Sequence, residues 1–348
     1  MIVCDNVTGT DAARYNVTSD CALFDFFIYT VASGSLCAFG LVGNAVSFTV
    51  LWRDRAGGGA TSFLLRAMAV ADSLVLVAAV PLYVLSPLAL AQMPGASSTY
   101  IGIYYAAMPY LWPCYLIPYT GTIFLTVLVS LQRYFAVCRP YSSVGSCNKR
   151  QMRIHVAAIV VFAVVYNIPR FFEYTHFEYC VGLNQSRNAF GISAFGSNQT
   201  YRIVYTNVMY IVVMHGGPLL CLGFLNVKLI KALKERQRKR AEMGKGGYQQ
   251  DITFVLIGVI CVFMFCQTPT MVDHLLWTFV DDSLRQCGHW HYYYTAVGDF
   301  LGILNSSLNF VVYVLASRRF RQNLVSSCGG PYKPVALRMD ERTQANAG

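Results

Sequence analysis

The chain has 348 residues, 55% of them hydrophobic and only 13% charged, and carries a net charge of +10. So apolar a composition argues against an ordinary soluble domain, in which about a quarter of the residues are charged. The basic excess is split among short loops that flank apolar stretches, so it marks membrane topology, and no nucleic-acid partner is expected.

Seven apolar stretches follow in order, at 25–52, 61–90, 106–138, 150–172, 203–234, 251–280 and 292–316. Each supplies the ~20 residues a helix needs to cross a ~30 Å hydrocarbon core. The expected fold is an all-α membrane protein, a seven-transmembrane helix bundle over residues 25–316. Before it, the tail 1–24 holds Cys4, Cys21 and glycosylation sequons at Asn6 and Asn16. Span one carries Asn44, and span two carries Asp72 and Pro81. Span three begins among Pro109, Pro113 and Pro118, which predict an irregular start. It continues through Cys114, Tyr115, Tyr119, Thr122 and Ile123 to Arg133. Span four ends in Asn167-Ile168-Pro169-Arg170-Phe171-Phe172-Glu173, a run that helix propensity does not explain.

The loop from 174 to 202 contains Cys180 and sequons at Asn184 and Asn198, and reads as a β-hairpin lid. Span five contains Pro218 and leads into a basic stretch from Lys228 to Lys245. Span six carries Phe263, Gln267, Pro269, Asp273, His274 and Trp277. His289 and His291, beside Cys287, read as surface histidines rather than a metal site. Span seven carries Tyr294, Asp299, Asn305, Ser306, Asn309 and Tyr313. Residues 317–328 form a basic amphipathic helix 8 that would lie on membrane lipid, with Cys328 available for palmitoylation, and 329–348 is a tail.

Basic residues concentrate after spans one, three, five and seven, which puts those loops and the C-terminus in the cytoplasm and the N-terminus outside. The four sequons outside the spans then all lie on the outer side, where glycosylation occurs. Of the cysteines, Cys4, Cys21, Cys114, Cys180 and Cys287 are on or near the oxidising side, and their connectivity stays open.

Polar groups at bilayer depth mark function by default. Asp72, Thr122, Asn305, Ser306 and Asn309 would share one depth in a bundle and could hold an allosteric Na⁺. A plain interhelical hydrogen-bond network is the alternative. At the outer ends of spans six and seven, Asp273 and Asp299 would be costly if unpaired. A cationic ligand would relieve that cost, with Tyr115, Tyr119, Gln267, His274, Trp277 and Tyr294 around it. The sequence shows no Gly-rich phosphate loop, His-x-x-x-His pair or Gly-x-Ser-x-Gly, so no enzyme is expected. A seven-span transporter or channel would predict internal inverted repeats or several intramembrane ion pairs, and neither is seen.

Ser130-Leu131-Gln132-Arg133-Tyr134-Phe135-Ala136-Val137-Cys138-Arg139-Pro140 resembles the end of span three in class A (rhodopsin-like) G-protein-coupled receptors, with Gln132 in place of their acid. Asn309-Phe310-Val311-Val312-Tyr313 resembles their Asn-Pro-x-x-Tyr, and Cys266-Gln267-Thr268-Pro269 their Cys-Trp-x-Pro. Pro218, Ile123 and Phe263 resemble the connector between pocket and cytoplasm. The departures at Gln267 and Phe310, with the Asn167–Glu173 run, resemble invertebrate FMRFamide-type neuropeptide receptors. The resemblance implies a plasma-membrane receptor for a short, amidated extracellular peptide ending in Arg-Phe-amide. A receptor for a non-peptide small molecule is the alternative. Inside, a heterotrimeric G protein would engage Arg133, with arrestin as a further partner. Gln132 in place of the acid removes the restraint that the family's acid places on the arginine, which allows higher basal activity. The resemblance also implies a disulfide from span three to the outer loop, for which Cys114 and Cys180 are the candidates, since Met108 occupies the usual position.

Overall fold

The computed structural model describes residues 2–3, 19–53, 59–86, 98–138, 148–181, 185–242, 251–279, 284, 287–316 and 318–327. Seven long helices dominate. The first, α1, is Cys21–Arg53, and α2 is Ala60–Val84. Next come α3, Ser98–Cys138, and α4, Lys149–Phe172, which closes in a tighter turn over Ile168–Phe172. The fifth, α5, runs from Gln199 through a wide-turned stretch, Arg202–Gly216, to Glu242. The sixth, α6, is Asp251–Phe279, and α7 is Trp290–Ala316. Six of these have helical stretches long and apolar enough to cross a membrane, and α6 has a shorter apolar portion, Ile260–Leu276. Each satisfies its backbone hydrogen bonds within its own helix, as a membrane span must, and together they pack as a bundle. A short amphipathic helix, α8, Arg318–Ser327, follows α7 and tucks Phe320 against Tyr313 and Phe310.

Differences from the sequence expectation include those at α2 and α3. α2 ends its helical turns at Val84 rather than near residue 90. α3 begins at Ser98 and runs unbroken through Pro109, Pro113 and Pro118, where an irregular start was expected. Each proline removes one backbone bond, yet a helix of this length held by neighbours on several sides retains its course.

The loop after α4 is a β-hairpin, as its length suggested. Strands β2, Tyr174–Val181, and β3, Gln185–Ile192, pair antiparallel, and a short strand β1, Ile2–Val3, adds in parallel to β2. The hairpin marks one end of the bundle, and Arg133 lies near the other. Between them one buried cluster includes Leu76, Tyr115, Ile123, Met214, Phe263 and Ile303. A second cluster at the Arg133 end includes Leu64, Met68, Val129 and Tyr313. Glycines set how closely α1 approaches. A Cβ on Gly40 would lie 2.6 Å from both Leu76 and Ser307, and one on Gly43 would lie 2.8 Å from Phe310. Small residues of this kind let membrane helices touch backbone to side chain.

Candidate functional site

At the hairpin end the helices bring two carboxylates beneath a wall of aromatic rings. Asp299 on α7 accepts from Tyr29 Oη on α1 at 3.1 Å and from Tyr83 Oη on α2 at 3.2 Å. The two tyrosine rings stack at 5.8 Å. Asp273 on α6 accepts from Thr295 Oγ1 at 2.7 Å, and His291 Nε2 lies 3.6 Å from the same oxygen. The two carboxylates stand on adjoining faces of α6 and α7: a Cβ added at Gly298, the residue before Asp299, would lie 3.9 Å from the Asp273 Cβ. Left unpaired they would be costly, and they are not left so: hydroxyl donors from α1, α2 and α7 satisfy them, as buried polar groups require. His291, expected at the surface, is fully buried, whereas His289 is exposed. It begins α7 inside the bundle mouth, because Trp290–Ala316 starts two residues earlier than the apolar pattern does.

The other sequence candidates converge on the same space. Tyr83 meets Tyr115 edge-on at 5.5 Å, and Tyr115 stacks on Tyr119 at 5.6 Å and on Trp112 at 6.1 Å. Tyr119 Oη donates to Gln267 Oε1 at 2.6 Å, joining α3 to α6 where tryptophan was the family expectation. Tyr294 Oη donates to the Pro269 carbonyl at 3.2 Å. His274 Nε2 donates to the Thr206 carbonyl at 2.7 Å, with its ring 4.0 Å from that of Tyr210. The side chain of Trp277 lies outside the described residues. Sequence reasoning missed Tyr29, Tyr83 and Trp112.

The unexplained run after Asn167 has a structural account. Arg170 Nη1 donates to Glu173 at 2.8 and 3.1 Å, and both residues are buried. The guanidinium also sits over Tyr205 at 5.1 Å and Tyr210 at 5.4 Å. A buried cation needs such partners, and the tight Ile168–Phe172 turn sets Arg170 and Glu173 face to face.

The disulfide expectation is corrected. Cys114 is a free, exposed thiol, and among the described residues a disulfide joins Cys21 to Cys287. Because α3 starts at Ser98, Cys114 lies about 24 Å along the helix from its outer end, at 1.5 Å per residue. The Cys21–Cys287 bond fastens α1 to the loop before α7, beside the Tyr292 hydroxyl on Asp25 and the Phe24–Tyr293 edge contact at 4.8 Å.

Midway down the bundle, Asp72 accepts from Asn309 Nδ2 at 2.6 Å and from Thr122 Oγ1 at 3.1 Å. Asn44 Nδ2 donates to the Ser306 carbonyl at 3.1 Å. Asn305 and Ser306 are buried on α7. Asn44 Oδ1 and Ser47 Oγ are buried without a hydrogen-bond partner. One carboxylate among orphaned neutral oxygens is the donor set a hard monovalent cation takes, so these residues fit Na⁺. Toward the Arg133 end, Ile123 and Phe263 share the central cluster, and Pro218 is buried just past the wide turns of α5.

Arg133 itself keeps Nε and Nη2 buried without a partner. Gln132 turns away and exchanges bonds with Thr61 on α2, donating Nε2 to Oγ1 at 3.1 Å. Tyr134 packs edge-on against Phe135 at 5.6 Å, and Tyr313 is buried on α8. Asn198 caps the start of α5 by accepting from the Tyr201 N–H at 3.0 Å. Asn6, Asn16, Asn184 and Cys328 lie outside the described residues, as does the side chain of Cys180.

Residues 43–313 match the family model of the 7 transmembrane receptor (rhodopsin family). Over 317 residues the chain is 24% identical to the FMRFamide receptor of Drosophila melanogaster, which covers 88% of this chain and 55% of that one. It is 27% identical to an FMRFamide peptide receptor of Caenorhabditis elegans, covering 82% of this chain and 66% of the relative. The mouse neuromedin-U receptor 1 is 25% identical over 83% of this chain and 70% of its own length. The chain thus spans between half and two thirds of the two FMRFamide receptors. A seven-helix bundle matched from Gly43 to Tyr313 shows that this chain belongs to the rhodopsin family of seven-transmembrane receptors.

Proposed function

We propose that this chain is a plasma-membrane receptor for a short, C-terminally amidated neuropeptide with an arginine next to a terminal aromatic residue. The observation that carries the reading is the pair Asp273 and Asp299, on adjoining stretches of α6 and α7, beside Tyr83, Tyr115 and Tyr119. A guanidinium would meet carboxylates already desolvated, and aromatic faces would take both the cation and a phenyl ring. The names of the two FMRFamide receptors agree with this chemistry. The hairpin end would face outward, with glycans on Asn6, Asn16, Asn184 and Asn198, and Cys328 would carry palmitate at the inner face.

At the opposite end, Arg133 would enter a heterotrimeric G protein, with arrestin as a later partner. Its unpartnered nitrogens support that role, because the G protein would supply the acceptors they lack. Ligand and G protein would favour one packing of the helices, and Na⁺ at Asp72 would favour the resting one. The hinge would be Pro269, whose carbonyl is already held by Tyr294 from the ligand side. The test is a library of amidated peptides applied to cells expressing the full chain, with second messengers recorded. Response to an Arg-aromatic-amide ending is expected. Response only to a small amine or lipid would replace the reading.

A further inference from the structure

On the outside of the bundle, α2 and α4 leave a groove against α3 that the receptor reading does not use. Its volume is about 580 Å³, within the ~300–1,000 Å³ of pockets that hold small ligands. Its floor is Pro118 and Gly121 of α3, and a Cβ added at Gly121 would meet nothing within 4 Å. Apolar side chains such as Val70, Leu74 and Val160 make its rim, and these three are exposed. The groove is therefore open sideways to lipid.

Its end nearest Arg133 differs in chemistry. Arg66, Lys149 and Arg153 line the groove there. Arg66 lies over the Trp52 ring at 4.8 Å and donates Nε to the Ser62 carbonyl at 3.2 Å. The Arg153 guanidinium lies 6.0 Å from the Phe63 ring. Among the described residues no carboxylate forms an ion pair with any of the three. From Lys149 to Ala163 the α4 wall rises about 21 Å at 1.5 Å per residue. One leaflet of hydrocarbon is ~15 Å deep. The cations thus sit at headgroup level, and the apolar part reaches the bilayer middle.

We infer that this groove binds an anionic phospholipid of the leaflet at the Arg133 end, with the phosphate held by Arg66, Lys149 and Arg153 and an acyl chain laid along Gly121. Charge complementarity selects the headgroup. The open floor selects a hydrocarbon chain over a free anion. The inference does not depend on which ligand binds at the hairpin end.

The experiment uses the full chain purified from nanodiscs of phosphatidylcholine and phosphatidylserine, with retained lipids counted by native mass spectrometry. Wild type should retain phosphatidylserine over phosphatidylcholine. Arg66→Gln/Lys149→Gln/Arg153→Gln should lower that retention about tenfold, or ~1.4 kcal/mol, and Gly121→Leu should lower it by filling the floor. Should the triple variant fail to fold, Lys149→Gln/Arg153→Gln changes only exposed side chains and should still lower retention several-fold. Soluble glycerophosphoserine should not compete. Equal retention of the two lipids, unchanged retention in the variants, competition by the soluble headgroup, or a neutral sterol held in place of the phospholipid would each overturn the assignment.

Discussion

Asp299 at the hairpin end receives two tyrosine hydroxyls from two other helices, whereas Arg133 at the opposite end keeps two buried nitrogens with no acceptor. Both are ionisable groups toward opposite ends of the bundle, and they are stabilised differently. The carboxylate end is tied across α1, α2 and α7, and further by a covalent bond from Cys21 to Cys287. The arginine end has a neutral neighbour, Gln132, engaged elsewhere with Thr61. A satisfied buried group resists change, and an unsatisfied one costs about 1–3 kcal/mol until a partner arrives. Under the proposed function, the difference suits one end to holding and the other to receiving.

The largest effect should come from removing the receiver. Arg133→Ala is expected to abolish G-protein coupling while ligand affinity stays within about tenfold, or ~1.4 kcal/mol. Second-messenger output undiminished at matched surface expression would break the comparison at once. Next in size is the holding end. Asp299→Asn should weaken an active amidated peptide by about tenfold or more, with Asp273→Asn second. Replacing the peptide's arginine by citrulline should cost little further in the mutant, and simple additivity of the two losses would show that Asp299 does not meet that arginine.

A smaller change sharpens the contrast. Gln132→Glu places an acid beside Arg133 and gives its buried nitrogens an acceptor, so ligand-independent signalling should fall several-fold. Basal output equal to wild type would mean that the orphaned nitrogens do not set the resting balance. The smallest effect is expected midway. Sodium should lower agonist affinity a few-fold at matched ionic strength, and Asp72→Asn should remove the dependence, because linked ligands act reciprocally. Agonist binding indifferent to sodium would leave Asp72, Asn309 and Thr122 as a hydrogen-bond network alone.

Much of this was legible in the chain. Span-length apolar runs set the bundle, since no other fold accommodates seven of them. Asp72 and Asn309 were recognisable as neighbours because depth in a membrane is countable from helix ends. The tyrosines on Asp299 were not, because they stand 270 and 216 residues away, and residue spacing says nothing about which helices adjoin. Cys114 misled because Pro109, Pro113 and Pro118 suggested an irregular start to span three that would let it reach the outer loop, whereas the helix runs unbroken through them. The helix begins at Ser98, and its first turns are too polar to show in hydropathy. His291 misled for a related reason, since a residue beside an apolar span reads as loop until the helix is seen to include it.

The bond between Cys21 and Cys287 joins residues 266 positions apart and so encloses six of the seven helices, α1 to α6, in one covalent ring. A protease that cuts the basic stretch between Lys234 and Lys245 would open that ring without releasing a fragment. Run without reductant, the nicked chain should migrate as a single full-mass species. Reductant should then split it in two, which makes an ordinary gel a report on whether this bond forms in cells.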